Sequence, residues 1–97
     1  MVARQHVEEP FELADAGAGW WAECMAVARA VKDELTSPKL NYEIHGNTVP
    51  HLHLHIYPRF VGDPYEGCPI DGSSARFDRS RDELNRLRNA IQGAVTV

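Results

Sequence analysis

The chain has 97 residues, a formal net charge of −4 and 25% charged residues, the balance of a globular protein rather than a disordered or collagenous one. That length suits one domain, residues 1–97, with a modest core, and the acidic balance gives no footprint for nucleic acid or for an anionic membrane. No run approaches the roughly 18 apolar residues of a membrane span and no signal-peptide core stands near the start, so a cytoplasmic protein is expected.

Residues 1–7 read as the end of a strand entering a loop. From Asp15, a residue type that caps helices, the pattern turns helical, with Trp21, Cys24, Met25, Ala28, Val31 and Leu35 recurring at spacings of three and four. Trp20 and Trp21 fit core or dimer-interface packing along that stripe better than a stacking platform for a base. Thr36-Ser37-Pro38 ends the helix, because the residue before a proline is driven out of the α region. Residues 40–44 alternate apolar and polar as a strand does, and His45-Gly46-Asn47 is turn chemistry, with His45 read as a turn residue. A second alternating run spans residues 49–57 and stops at Pro58.

Residues 62–74 read as a loop, with Asp63, Glu66, Asp71 and the nearby Asp78 expected to be solvated carboxylates rather than an ion site. Ser80 with Glu83 has the capping-box form, and Leu84, Leu87, Ile91 and Ala94 continue an amphipathic helix. The arginines at 76, 79, 81, 86 and 88 are expected on a charged helix surface. Cys24 and Cys68 lie far apart and read as free thiols. The order helix, two strands, loop, helix defines an α+β fold.

The informative segment is Asn47-Thr48-Val49-Pro50-His51-Leu52-His53-Leu54-His55-Ile56-Tyr57. On a strand, His51, His53 and His55 project from one face and the intervening apolar residues from the other. Three imidazoles there suggest a site of one of two kinds. A metal centre suits imidazole, but the outer two residues of a straight strand lie ~13 Å apart and metal–nitrogen bonds are only about 2.0–2.1 Å long. A nucleophile suits it too: neutral imidazole can attack phosphorus if a neighbour fixes its tautomer and donors face the phosphate oxygens. Asn47 and Thr48 are neutral hydrogen-bonding candidates beside that face.

His51-Leu52-His53-Leu54-His55-Ile56-Tyr57 resembles the His-φ-His-φ-His-φ-φ motif of the histidine-triad (HIT) family, φ being apolar. Leu40-Asn41-Tyr42-Glu43, Gly46-Asn47-Thr48-Val49-Pro50, Pro58-Arg59-Phe60 and Arg4-Gln5-His6-Val7 extend the likeness along nearly the whole chain. The resemblance implies an antiparallel sheet with a long helix before the triad strand and a C-terminal helix. It also implies a nucleotide hydrolase or nucleotidyl transferase acting at an α-phosphate through a nucleotidyl-histidine intermediate. A dinucleoside polyphosphate, a nucleoside phosphoramidate or an adenylylated small molecule would fit.

By that resemblance His53 is the nucleophile, the main-chain carbonyl of His51 fixes its tautomer, and His55 contacts phosphate or assists the leaving group. Asn47 and Thr48 contact phosphate and leaving group, Asn41 lies toward ribose or phosphate, and His6 supports the triad from behind. A homodimer is implied, with no metal or other cofactor in the covalent step. Family members carry a further helix and strand pair before the position of Val2, so the chain is expected to begin inside the sheet. The alternative is a non-catalytic nucleotide- or metal-binding domain of the same fold.

Overall fold

The computed structural model describes residues 1–72 and 78–95, in an α+β arrangement. Pro10–Ala16 forms a 3-10 helix with proline in its first turn, and Glu12 accepts the backbone N–H of Glu9 at 2.7 Å. Helix α1 follows from Gly17 to Leu35. The helical start at Asp15 is therefore corrected: that residue lies in the 3-10 turn, and Ala16 is the cap. Cys24, Val27, Ala28 and Val31 form the buried face of α1, while Trp21 is about half exposed. Trp21 is therefore not a core residue of this chain, whereas Trp20 packs against the buried cluster Ala3, Leu13 and Leu52. Thr36, in the left-handed region (φ 51°), ends the helix as the following proline led one to expect.

Strand β1, Lys39–Ile44, pairs antiparallel with β2, Leu54–Arg59, with Glu43 opposite His55 and Asn41 opposite Tyr57. The second strand begins five residues later than the alternation suggested and runs through Pro58. Residues 47–49 are bends, and His51 lies outside the strand, its N–H bonded to the Val49 carbonyl at 2.8 Å. Residues 1–3 run beside the start of β2: Val2 bridges His53, Ala3 N–H donates to Leu52 O (3.0 Å) and Leu54 N–H to Met1 O (2.7 Å). The opening residues are strand-like, as read.

One face of the sheet carries Leu40, Leu52 and Leu54, all buried, and turns toward α1. Helix α2, Arg81–Val95, packs on α1, and the Ser80–Glu83 capping box forms in both directions (3.2 and 3.3 Å). Arg79 pairs with Glu83, Arg86 reaches Glu34 of α1, and the positions of Ser73, Ser74 and Arg76 lie outside the described residues. The buried Cys24 and the exposed Cys68 are free, and burial raises the Cys24 thiol above its ordinary pKa. Among the described residues no helix is long and apolar enough to cross a membrane.

Candidate active site

The other face of the sheet carries His55, Tyr57 and Arg59 on β2 and Asn41 and Glu43 on β1, because residues two apart on a strand point the same way. Its two ends differ. At the Arg59 end every donor of the guanidinium is used. Nε and one terminal nitrogen grip the Asp63 carboxylate (2.8 and 3.0 Å), and the remaining N–H groups reach Asn41 Oδ1, Cys68 O and Tyr65 O at 2.7–2.8 Å.

Asp63 also accepts the backbone N–H groups of Phe60 and Tyr65. The Arg59 hydrogen bond, ahead of these backbone donors, holds its carboxyl below the ordinary range. This corrects the expectation of a solvated Asp63: its side chain is 6% exposed and ties residues 60–68 into a fixed turn. Glu66, still exposed, receives the backbone N–H of Gly62.

At the histidine end the arrangement starts from backbone. His53 Nδ1 lies 2.6 Å from His51 O, so that nitrogen carries the proton and donates it. The tautomer leaves a lone pair on Nε2, which has no hydrogen-bond partner among the described residues. His51 is held by a separate chain of contacts. Its Nε2 is 2.7 Å from Ala3 O and must donate, so its Nδ1 accepts from His6 Nδ1 at 3.0 Å, with the rings 5.2 Å apart. His51 therefore does not share the histidine cavity with the other two, a departure from a straight three-membered array. The cause is the bend at residues 47–51, which takes it off the strand.

His53 and His55 stand edge to face at 4.9 Å, and His55 stacks on Tyr57 at 5.7 Å. Burial, then the neighbouring His53, lowers the His55 pKa below its ordinary value, with Glu43 opposing. Burial and then the carboxylates of Glu43 and Asp71 raise that of Tyr57, which stays a neutral phenol. Gly72 sits against the Tyr57 hydroxyl so closely that a side chain at that position would collide with it.

A cavity of about 290 Å³ is lined by His45, Gly46, Asn47, Thr48, Val49, His53 and His55. It brings together two of the three triad residues and both polar residues preceding the triad. A neighbouring cavity of about 500 Å³ shares His45 and His55 and adds Glu43, Tyr57 and Asp71. A larger one, about 700 Å³, lies toward the Arg59 end and contains no histidine. Asn41 lines that one, with its amide oxygen bound to Arg59, and is not brought to His53.

Sequence reasoning missed Glu43, Tyr57 and His45 as members of this surface. Glu43 and Tyr57 were legible through the cross-strand register and the strand period; His45 was hidden by its place in a turn. Among the described residues no group of three or more His, Cys, Asp or Glu side chains is disposed to hold a metal ion.

Neither a protein-family model nor a curated protein sequence matches the chain at a significant level. Solved structures do. A histidine triad protein from Bradyrhizobium japonicum superposes with a TM-score of 0.81 at 29% identity, over 97% of this chain and 72% of that one. A histidine triad (HIT) protein from Sinorhizobium meliloti gives 0.76 at 28%, over 95% and 69%. One from Marinobacter aquaeolei gives 0.78 at 25%, over 97% and 70%. This chain has the histidine-triad (HIT) fold of these bacterial proteins.

Proposed function

We propose that the chain is a nucleotide hydrolase or nucleotidyl transferase in which His53 attacks an α-phosphorus. The observation that carries this reading is the His53 ring: Nδ1 is fixed by the His51 carbonyl, while Nε2 has no partner among the described residues on a ring lining a cavity. The HIT fold supports a nucleotide-binding or nucleotide-transforming domain in general. In the proposed reaction the Nε2 lone pair forms a bond to phosphorus as the bond to the leaving group breaks. Water then attacks phosphorus as the phosphorus–nitrogen bond breaks, releasing a nucleoside monophosphate; in transfer, another acceptor attacks in place of water and takes the nucleotidyl group.

The Asn47 amide and Thr48 hydroxyl are unpartnered among the described residues and suit the phosphate oxygens or leaving group. A His55 kept neutral by its surroundings can donate from one ring nitrogen to the same oxygens. His6 and His51 act behind the nucleophile by fixing the backbone that holds it. A nucleotide substrate, a homodimer and a cytoplasmic location belong to the same proposal; β1 offers a second copy an outer edge with Tyr42 and Ile44 exposed.

Incubation with a nucleoside phosphoramidate labelled at phosphorus should place acid-labile label on the protein. His53→Ala should abolish it and lower turnover by at least about 10³-fold, as removal of a covalent nucleophile does. Absence of label and of hydrolysis in the wild type, with nucleotide binding unaltered by His53→Ala, would sink the reading.

A further inference from the structure

His45 follows the last residue of β1 and precedes Gly46, whose φ of 109° is open to glycine and strained for other residues. The chain reverses there, so that His45 through Val49 line one cavity with His53, just before β2, and His55 on it. His45 also borders the adjacent cavity with Glu43, His55 and Tyr57, and so stands between the two. Its Nε2 lies 3.1 Å from Glu43 Oε2, an ion pair whenever the ring is protonated. Glu43 is in turn the cross-strand neighbour of His55. With Nε2–H donated to the carboxylate, Nδ1 is the nitrogen left for a ligand, and it has no partner among the described residues. The side chain is 60% exposed, so packing does not explain the pair.

We propose that His45, oriented by Glu43, is the group that protonates the leaving group and then activates water, a role that rests on His53 being the nucleophile. A nucleophile, a ring nitrogen with a transferable proton and a carboxylate that fixes the tautomer of that ring are the parts a two-step displacement needs. In the first step His53 Nε2 bonds to phosphorus, the phosphorus–leaving-group bond breaks, and the departing atom takes the proton from Nδ1 of the His45 imidazolium. In the second, neutral His45 takes a proton from water as its oxygen bonds to phosphorus and the bond to His53 breaks. The imidazolium is thereby restored. Glu43 keeps its negative charge throughout and acts as a positioning residue.

The role is tested by leaving-group chemistry. An alkylamine departing from a nucleoside phosphoramidate must be protonated; 4-nitrophenolate departing from a nucleoside 4-nitrophenyl phosphate need not be. His45→Gln should slow first-turnover release of the amine by about 10²-fold and of nitrophenolate by under about tenfold, the range a general acid covers. Glu43→Gln should move the ratio in the same direction by less. A variant slowed equally on both substrates shows a structural role and overturns the proposal while leaving His53 as nucleophile. If instead the wild type gives no first turnover on either substrate, the nucleophile reading fails and takes this proposal with it.

Discussion

Arg59 ends β2 and His53 immediately precedes it, six residues earlier, and their polar atoms are treated in opposite ways. All five guanidinium N–H groups have acceptors, one carboxylate and three oxygens drawn from β1 and the following turn. His53 has one ring nitrogen bound to backbone and the other without a partner among the described residues, and the cavity beside it is lined by Asn47 and Thr48, whose side chains likewise have none among them. Buried polar groups are normally satisfied, as those of Arg59 are, whereas a few polar groups converging on a concave surface make it a candidate binding site. The Arg59 end therefore reads as architecture and the His53 end as a binding surface, although both are built from charged or titratable side chains on one sheet.

The comparison breaks most visibly if Arg59 is removed. Arg59→Met leaves the Asp63 carboxylate without its cation and frees Asn41 and two carbonyls, so a fall in Tm of about 10 °C or more is expected. The same contact makes Asp63 acid-sensitive. Its folded-state pKa is depressed, so its stabilising effect is present above the unfolded value, near 3.8, and fades as pH falls from there. Thermal melts from about pH 7 to pH 3 should lose more stability in the wild type than in Asp63→Asn. A melting point for Arg59→Met equal to wild type would show that the turn is held by something other than this arginine.

Much of this division could be read from the sequence, and the failures share a cause. The strand period placed His53 and His55 on one face and Leu52 and Leu54 on the other correctly, because face membership depends only on local backbone geometry. The same rule extended the strand back to Val49. There it met the hydrogen bonds of residues 1–7 with residues 51–54, which hold His51 off the strand and against His6. Asp63 looked like one of several loop carboxylates because its burial comes from Arg59, four residues back across a turn; an Arg-x-x-x-Asp spacing spanning Gly62 was the available signal. His45 was assigned to a turn on residue type, and it does follow β1 there, but residue type alone did not show that its ring pairs with Glu43 and lines the cavity beside His53. Trp21 fell in the helical stripe but is about half exposed, so spacing by itself did not settle how deeply it packs.

The open end of the sheet should behave inversely to the closed one. Asn47 and Thr48 are exposed, and neither side chain has a partner among the described residues. Asn47→Ala and Thr48→Val are expected to change unfolding free energy by less than about 0.5 kcal/mol, as surface substitutions do. If they face the phosphate as proposed, each should lower kcat/KM by about 10–100-fold through lost stabilisation of developing charge. Chemical denaturation beside steady-state kinetics separates the two quantities. Stability losses comparable to Arg59→Met would erase the distinction between the two ends.

The smallest effect concerns His55, which sits where the two regimes meet, stacked on Tyr57 on one side and beside His53 on the other. Its pKa is lowered, first by burial and then by His53, so the unfolded chain binds a proton there more readily than the folded one. Between the lowered value and about 6.5, stability then rises with pH. On acidification the penalty sets in as pH falls through about 6.5 and is complete below the folded value; well above about 6.5 both states are neutral and His55 contributes no pH dependence. His55→Gln should remove this component, so its Tm should fall less than that of the wild type between about pH 7.5 and pH 5.5, by a few degrees at most. Equal slopes would mean that His55 is as free to protonate as a solvated imidazole. It would then face a phosphate as a cation below about pH 6.5, and the neutral-donor role proposed for it would fail in that range.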